Sequence, residues 1–496
     1  MRFCLPPFPS AILGLVLAMG AGSCGPSNGN GPIEVAIIGA PENLFQEGVR
    51  LSPAAQHLRA ATYEGLVALD PAGQVVPALA ERWIVTEDGM SYIFRLRDST
   101  WPDGEEISAT DVRQLLRESI VRLRGTSLGL DLAKVRDVRA MTGRVVEVRL
   151  TAPMPDFLRL LAQPELGFAK DDSGAGPMAM LSEDETMLAR LSALPPEARG
   201  LPEREDWEDV ARPVSVRALS TREAVAAFSR GDVDLVLNGT LANFPQAEAG
   251  PLSRGTIQVD PTIGLLGLAV RREEGFLADP ERREALSMAI DRAALIQPFG
   301  LSGWQASNWI IPPEVYSVPP YPDDRWDGAS LDERRETAAA RVRAWSAESG
   351  EEAVVRVALP RGPGSDLLLR QLAAAWATIG VTALRAGPDE AADLELRDTL
   401  ARYSSPRWYL NQFNCALKTG LCSPEADALV QQALNERDAT ARELLLADAH
   451  AALTAREAFI PLGAPVRWSL VRGSIRNYIA NPWGLHPLFP LSQPTT

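Results

Sequence analysis

Residues 62–112, TYEGLVALDPAGQVVPALAERWIVTEDGMSYIFRLRDSTWPDGEEISATDV, decide how the rest of the chain is read. Leu66-Val67-Ala68-Leu69 is a short apolar run that stops at Asp70-Pro71-Ala72-Gly73, where both Pro and Gly favour a turn. Val75-Val76-Pro77 resumes extended chain, and Trp83-Ile84-Val85 runs into Glu87-Asp88-Gly89, a hairpin signal. The partner strand alternates, with Tyr92, Phe94 and Leu96 on one face and Ser91, Arg95 and Arg97 on the other. Trp101-Pro102-Asp103-Gly104 makes a further turn. Ser108 then caps a helix, with Asp111 as the acidic half of a capping box. Val112, Leu115, Leu116, Ile120 and Leu123 form its apolar stripe, and Gly125 ends it.

Working outward, 496 residues exceed what one hydrophobic core organises, so two or three lobes are expected. The composition, 46% hydrophobic and 23% charged, is that of a soluble globular protein. A formal net charge of −15 leaves no basic stripe for nucleic acid. Three histidines and no Cys-x-x-Cys pair give no basis for a metal site or a cofactor. There is no Gly-x-Ser-x-Gly elbow, no His-Glu-x-x-His and no phosphate-binding Gly-x-x-x-x-Gly-Lys loop. His57, His450 and His486 stand far apart, and the sequence offers nothing that asks them to form a triad.

The N-terminus reads as a targeting segment, residues 1–24. Arg2 supplies positive charge and Ala11 to Ala21 an apolar stretch of 11 residues, short of the roughly 20 that span a bilayer. Ala21-Gly22-Ser23-Cys24 follows, and residues 25–32 read as a flexible tether.

Later segments alternate strand and helix. Val145–Leu150 is a strand, Pro153 begins a helix that runs to about Ala162, and Glu183 to Asp209 reads as a polar, Pro-containing insertion. Thr221 caps a helix, and the run Ile263 to Val270 is a fully buried strand. Asp279-Pro280 starts a helix bearing Leu286, Ala289 and Ile290. A Pro-rich loop from Ile311 to Pro322 precedes a polar helix near Thr337–Ser346. Val354–Leu359, Leu367–Ile379 and the strand opened by Gly380 form a strand–helix–strand unit of parallel type. Ser423-Pro424 caps a long helix, Arg442–Leu453 is another, and Ala458–Leu462 is a return strand.

Tyr63-Glu64-Gly65-Leu66, Pro77-Ala78-Leu79-Ala80-Glu81-x-Trp83, Asp88-Gly89, Phe94-x-Leu96-Arg97, Asp103-Gly104 and Ala109-x-Asp111-Val112 stand in order. This succession resembles the family 5 extracellular solute-binding proteins, the dipeptide-, oligopeptide- and nickel-binding receptors of ABC importers. DPERREALSMAIDRAALI, residues 279–296, resembles a second motif of that family. The resemblance covers nearly all of the chain beyond the tether. It implies a two-lobed α/β periplasmic-binding-protein-like fold of type II, cluster C, with mixed sheets and helices and two crossing strands between the lobes. Lobe one is expected at residues 33–260 plus 463–496, and lobe two at 261–462. Cys24 resembles the lipidated cysteine of bacterial lipoproteins, which implies a lipid anchor in the cell envelope.

The same resemblance implies a monomer that captures a peptide-like or other small polar solute between its lobes. It would deliver that solute to ABC permease subunits in the inner membrane, without catalytic residues. An exported envelope lipoprotein or enzyme that keeps the shape without transport is the alternative. Relatives place a disulfide like Cys415–Cys422 before the helix at Ser423. The loop that touches ligand in relatives corresponds to Arg402, Tyr403, Ser404 and Ser405, with Trp408, Phe413 and Asn414 beside it. Trp304, Tyr409 and Trp483 are further aromatic candidates for a cleft wall. Peptide-binding members carry an Asp where Arg402 stands here, and that Asp pairs with the ligand's amino group. A guanidinium there favours a carboxylate or phosphate, with Arg397 and Arg407 in reach to add to it. The expectation is therefore an anionic or amine-blocked solute.

Overall fold

The strand Ile33–Ile38 sits near the middle of a seven-stranded sheet, because it has apolar residues on both of its faces. Ile33, Val35 and Ile37 join one core cluster. Ala36 and Ile38 join another on the opposite side. A computed structural model describes residues 31–171, 173–183, 187–247, 255–317, 325–326, 328–387 and 390–493. The targeting segment, Cys24 and most of the tether lie outside the described residues, as do 318–322 of the Pro-rich loop. Pro32–Thr496 is one compact unit.

The seven-stranded sheet runs Met178–Glu183, Leu188–Ala193, Val214–Leu219, Ile33–Ile38, Leu235–Thr240, Arg467–Val471, Ile257–Val259. Its centre is parallel, with Val35 opposite Val216 on one side and Leu235 on the other. The segment read as a polar insertion therefore supplies a strand of this sheet. Leu188–Ala193 pairs with Val214–Leu219, and its buried positions are Ala189, Leu191 and Ala193. Alternation with small residues gave a period-2 pattern too weak to stand out among the prolines that follow. Ser220, one residue before the expected Thr221, is the N-cap of its helix, and its hydroxyl accepts from the Glu223 N–H.

A five-stranded sheet runs Val381–Arg385, Ala353–Ala358, Leu394–Leu400, Gly264–Val270, Phe459–Gly463. The expected parallel unit is present, Val355 lying opposite Ala383. Gly264–Val270 is buried at every position because both faces are covered. Leu265 and Ala269 pack with the four-stranded sheet's core. Leu266, Leu268 and Val270 pack with the core that reaches Trp468 and Leu470. Each of these leucines and the valine contributes about 1.5–3 kcal/mol on burial. The chain passes between the two large sheets twice, from Val259 to Gly264 and from Gly463 to Arg467. The molecule is thus two-lobed, with a mixed sheet in each lobe.

The opening stretch forms the antiparallel hairpins Val67–Leu69/Val75–Pro77 and Ala80–Val85/Ser91–Leu96. The second belongs to a four-stranded sheet completed by Val145–Leu150 and Val135–Met141. Gly89, at φ +65°, makes its turn, and its N–H donates to the Thr86 carbonyl. The capping box at Ser108 and Asp111 is present on the helix Ala109–Arg122. Arg97, read on the face opposite Tyr92, Phe94 and Leu96, is buried. It is 5% exposed and forms a buried ion pair with Glu64, to which Arg199 adds a contact of 3.3 Å.

Candidate functional site

Gly463 fixes the wall of a cavity beside the chain crossings. A Cβ there would lie 2.3 Å from the Gln305 carbonyl oxygen and 2.4 Å from the Trp304 ring, so only glycine lets these segments meet. Trp304 Nε1 donates to Ala464 O at 2.8 Å, Ala464 N to Gln305 O at 2.8 Å, and Ser307 N to Leu462 O at 3.1 Å. These bonds strap the loop Leu301–Val315 onto the second chain crossing. Between that loop and both crossings lies a cavity of about 710 Å³, within the range of small-ligand sites. Trp304, Trp309, Tyr409 and Phe459 give it aromatic surface, Ser307, Asn308 and Ser404 give it polar groups, and Asp260 and Glu314 are its charged lining residues.

The turn after Leu394–Leu400 carries the residues expected to touch ligand, and Asp131 organises it. That carboxylate is fully buried at the end of the short helix Ser127–Asp131. Its Oδ1 accepts from Tyr403 Oη at 3.0 Å and from Asn411 Nδ2 at 2.7 Å. Arg407 Nη2 donates to the carbonyls of Leu130 at 2.7 Å and Asp131 at 2.6 Å, serving the carbonyl end of the helix. Arg402 Nη1 donates to Ser127 Oγ at 3.1 Å and stands 4.0 Å from Asp131 Oδ2. Burial pushes the Asp131 carboxyl up, while the guanidiniums of Arg407 and Arg402 pull it down. The same burial, with Asp131 beside it, raises the Tyr403 phenol well above its ordinary range.

The expected residues therefore separate. Ser404 lines the 710 Å³ cavity. Arg402 lines a second cavity of about 310 Å³, together with Arg50, Glu165, Arg397 and Gln412. Tyr403 and Trp408 are 1% and 0% exposed and belong to the core beneath the turn. Ser405 precedes the helix Pro406–Asn411. Phe413 is buried under the Arg397 guanidinium, 5.7 Å from its ring centroid. Asn414 accepts from Ala416 N at 3.0 Å and donates to Asp427 at 3.0 Å, holding the turn before the disulfide. Arg407 lines neither cavity: it is 4% exposed, and its Nη2 serves the Leu130 and Asp131 carbonyls. Trp304 and Tyr409 line the larger cavity, whereas Trp483 stacks under Arg159 at 4.2 Å. Cys415 and Cys422 are joined with Cα atoms 5.2 Å apart, and their loop brings Leu417 and Thr419 to the smaller cavity.

Two of the histidines meet although 429 residues separate them. His57 Nδ1 lies 2.7 Å from Pro53 O, and His57 Nε2 accepts from the His486 backbone N–H at 3.3 Å. His486 Nε2 lies 3.2 Å from Asp260 Oδ2, and Asp260 Oδ1 accepts from Asn481 N at 3.0 Å. His450 pairs with the Tyr316 hydroxyl at 2.8 Å. Among the described residues these imidazole partners include no serine, threonine or cysteine, so no activated nucleophile is built here. No group of three or more His, Cys, Asp or Glu among the described residues is placed to hold a metal ion, and no helix among them is long and apolar enough to cross a membrane.

The model of bacterial extracellular solute-binding proteins, family 5, matches residues 74–187 and 204–414. A probable di/tripeptide-binding protein of Pseudomonas aeruginosa is 24% identical over 469 residues, 83% of this chain and 86% of that one. A probable deoxycholate-binding periplasmic protein of Escherichia coli is 28% identical over 284 residues, and the match spans 52% of its length and 51% of this chain. The solved structure of the Escherichia coli murein tripeptide binding protein superposes with a TM-score of 0.76 at 17% identity, covering 94% of this chain and 99% of that chain. At that identity the likeness speaks for the fold.

Proposed function

The chain belongs to the bacterial extracellular solute-binding proteins of family 5, binding proteins of ABC importers rather than enzymes, and from that premise we propose that it is an envelope receptor that closes its lobes over one small polar solute. The observation that carries this is the 710 Å³ cavity, lined by both chain crossings at once. A solute lodged there touches the hinge segments themselves, so its binding free energy differs between open and closed arrangements, as hinge closure requires. Lobe one comprises residues 33–260 and 463–496, and lobe two 261–462. The contact of Tyr403, Arg407 and Asn411 with Asp131 is then an inter-lobe contact. Ser404 reaches the solute from the lining of the 710 Å³ cavity, while Arg402 lines the second cavity of about 310 Å³ and Tyr403, Ser405, Trp408, Phe413 and Asn414 position the turn.

The receptor is a monomer held at the membrane by lipid on Cys24 and delivers its solute to permease subunits of an ABC importer. More than one acyl chain gives the stable anchoring that a single chain does not. Cys24→Ser should release the protein from the membrane fraction, and unchanged lipid labelling would refute the anchor.

The receptor reading is tested by thermal-shift screening followed by calorimetry against di- and tripeptides, amino acids, dicarboxylates and bile acids. A solute at about a hundredfold over its Kd adds about 2.7 kcal/mol of stability. One chemical class should bind at 1:1 stoichiometry. Failure of every class to shift the transition would refute the reading.

A further inference from the structure

Asp260 lines the 710 Å³ cavity on the first chain crossing, yet its carboxylate is held by a segment near the C-terminus. The residue is 5% exposed. Its Oδ1 accepts from Asn481 N at 3.0 Å, and its Oδ2 lies 3.2 Å from His486 Nε2. Asn481 Nδ2 stands 3.4 Å from His486 Nδ1, so that nitrogen accepts and Nε2 carries the hydrogen that Asp260 receives. The ring is fixed in turn. It stacks on Tyr478 with centroids 4.6 Å apart, and His486 N donates to His57 Nε2 at 3.3 Å. Residues 479–486 contain neither helix nor strand, and Asn481 and His486 are 1% and 4% exposed. Buried backbone outside helix and strand finds its partners elsewhere, here on the crossing.

The same segment reaches further. Pro482 O accepts from Ile263 N at 3.1 Å, and Ile263 O accepts from Ala401 N at 2.8 Å. A Cβ on Gly484, at φ +57°, would lie 2.7 Å from Leu400 Cδ1 and 3.3 Å from Arg467 Cγ. Residues 481–486 therefore abut the first crossing, the second crossing at Arg467 and the strand Leu394–Leu400.

We infer that residues 481–486 are a third element of the hinge, and that His486, acting through Asp260, is the positioning residue that limits how far the lobes open at rest. The inference rests on the receptor reading and takes its lobe boundaries. Opening turns lobe two about both crossings, which stretches the Ile263–Pro482 bond and slides Leu400 across Gly484. With Asp260 held, the first crossing cannot swing out to relieve that strain. Without His486, one oxygen of a buried carboxylate loses its donor, the crossing loosens, and open arrangements gain weight.

The experiment is hydrogen exchange and small-angle scattering of the full-length protein without solute. It compares wild type, His486→Leu, His486→Gln and Asp260→Asn, with His450→Asn, which disturbs the distant Tyr316 contact, as a variant weakened elsewhere. In His486→Leu, exchange in segments 258–266 and 478–487 should quicken about tenfold relative to the strands Ala353–Ala358 and Val381–Arg385, the loss of one hydrogen bond to a charged acceptor. The radius of gyration should rise. His486→Gln keeps a donor for Asp260 and should return both readings toward wild type. Asp260→Asn keeps the volume, weakens both bonds and should repeat the His486→Leu pattern, so a His486→Leu chain that does not fold leaves the test intact. A purely structural His486 would lower the melting temperature and quicken exchange evenly over both lobes, as in His450→Asn, with the radius of gyration unchanged. That result, or unaltered exchange in segment 258–266, overturns the inference. No solute enters these measurements, so their failure leaves the receptor reading standing, and a solute screen without a hit refutes that reading whatever the exchange shows.

Discussion

The phenolic hydroxyl of Tyr403 donates to Oδ1 of Asp131 over 3.0 Å, joining positions 272 residues apart where neither side chain is more than 1% exposed. Asn411 supplies the second donor to the same oxygen. Tyr403→Phe removes one of the two and leaves a buried carboxylate under-bonded. The expected cost is about 1–3 kcal/mol, read as a lower midpoint in urea with an unchanged denaturant slope. An unaltered midpoint would mean that Asp131 is not held as described.

Acid should destabilise the protein through two histidines. Burial, opposed by the bond to the Pro53 carbonyl and aided by His486, lowers His57 from 6.5 to about 4. Burial and the nearby Arg325 lower His450 from 6.5 to about 4. Between those values the unfolded chain binds two protons that the folded chain excludes, so stability is complete above pH 6.5 and falls as the pH drops toward 4. Each histidine contributes a slope of about 1.4 kcal/mol per pH unit within that window. In His450→Asn the slope should fall to that of one proton. A pH-independent midpoint across the window would contradict the assignment.

Lys134 acts on the alkaline side. Burial, then Arg407 and Arg442, lowers its amine from 10.5 to about 7, and its Nζ donates only to the Pro153 carbonyl, at 3.1 Å, among the described residues. Between pH 7 and 10.5 the unfolded chain holds a proton that the folded chain lacks, so stability rises with pH across that range. Lys134→Met should raise stability at pH 7 and flatten the rise. A variant that is less stable than wild type at pH 7 would show that the amine is held by favourable contacts instead.

Gly463→Ala should free the loop Leu301–Val315 from the second crossing. The new Cβ would meet the Gln305 carbonyl and the Trp304 ring, an overpacking of about 1–3 kcal/mol. Trp304 fluorescence should shift with the loss of stability. A variant with native emission and native melting would show that the strap yields without cost.

Local chemistry made much of the fold legible. Ser108 with Asp111, Asp279 before Pro280, Ser423 before Pro424 and Gly89 in its hairpin act within four residues, and each stands where its chemistry puts it. The fully buried strand Gly264–Val270 was legible because covering both faces leaves an unbroken apolar run. What the sequence hid depends on distant partners. Arg97 looks like any outward strand residue until Glu64 folds beneath it. Asp131 and Glu165 carry no local signal that they face Tyr403 or the cavity of Arg402. The expectation of an anionic or amine-blocked solute rests on Arg402 with Arg397 and Arg407, and Glu165, which lines the same cavity as Arg402 and Arg397, stands about 240 positions before Arg402 in the chain. His57 and His486 meet for the same reason, through packing of the two ends of the chain.

The central claim, closure of two lobes over a solute at the chain crossings, is tested most directly by small-angle scattering of the protein titrated with the solute that stabilises it most in the screen. The account predicts a radius of gyration that falls in one saturable step at 1:1 stoichiometry, with the midpoint at the calorimetric Kd. A solute that binds at 1:1 and leaves the radius of gyration unchanged would contradict it.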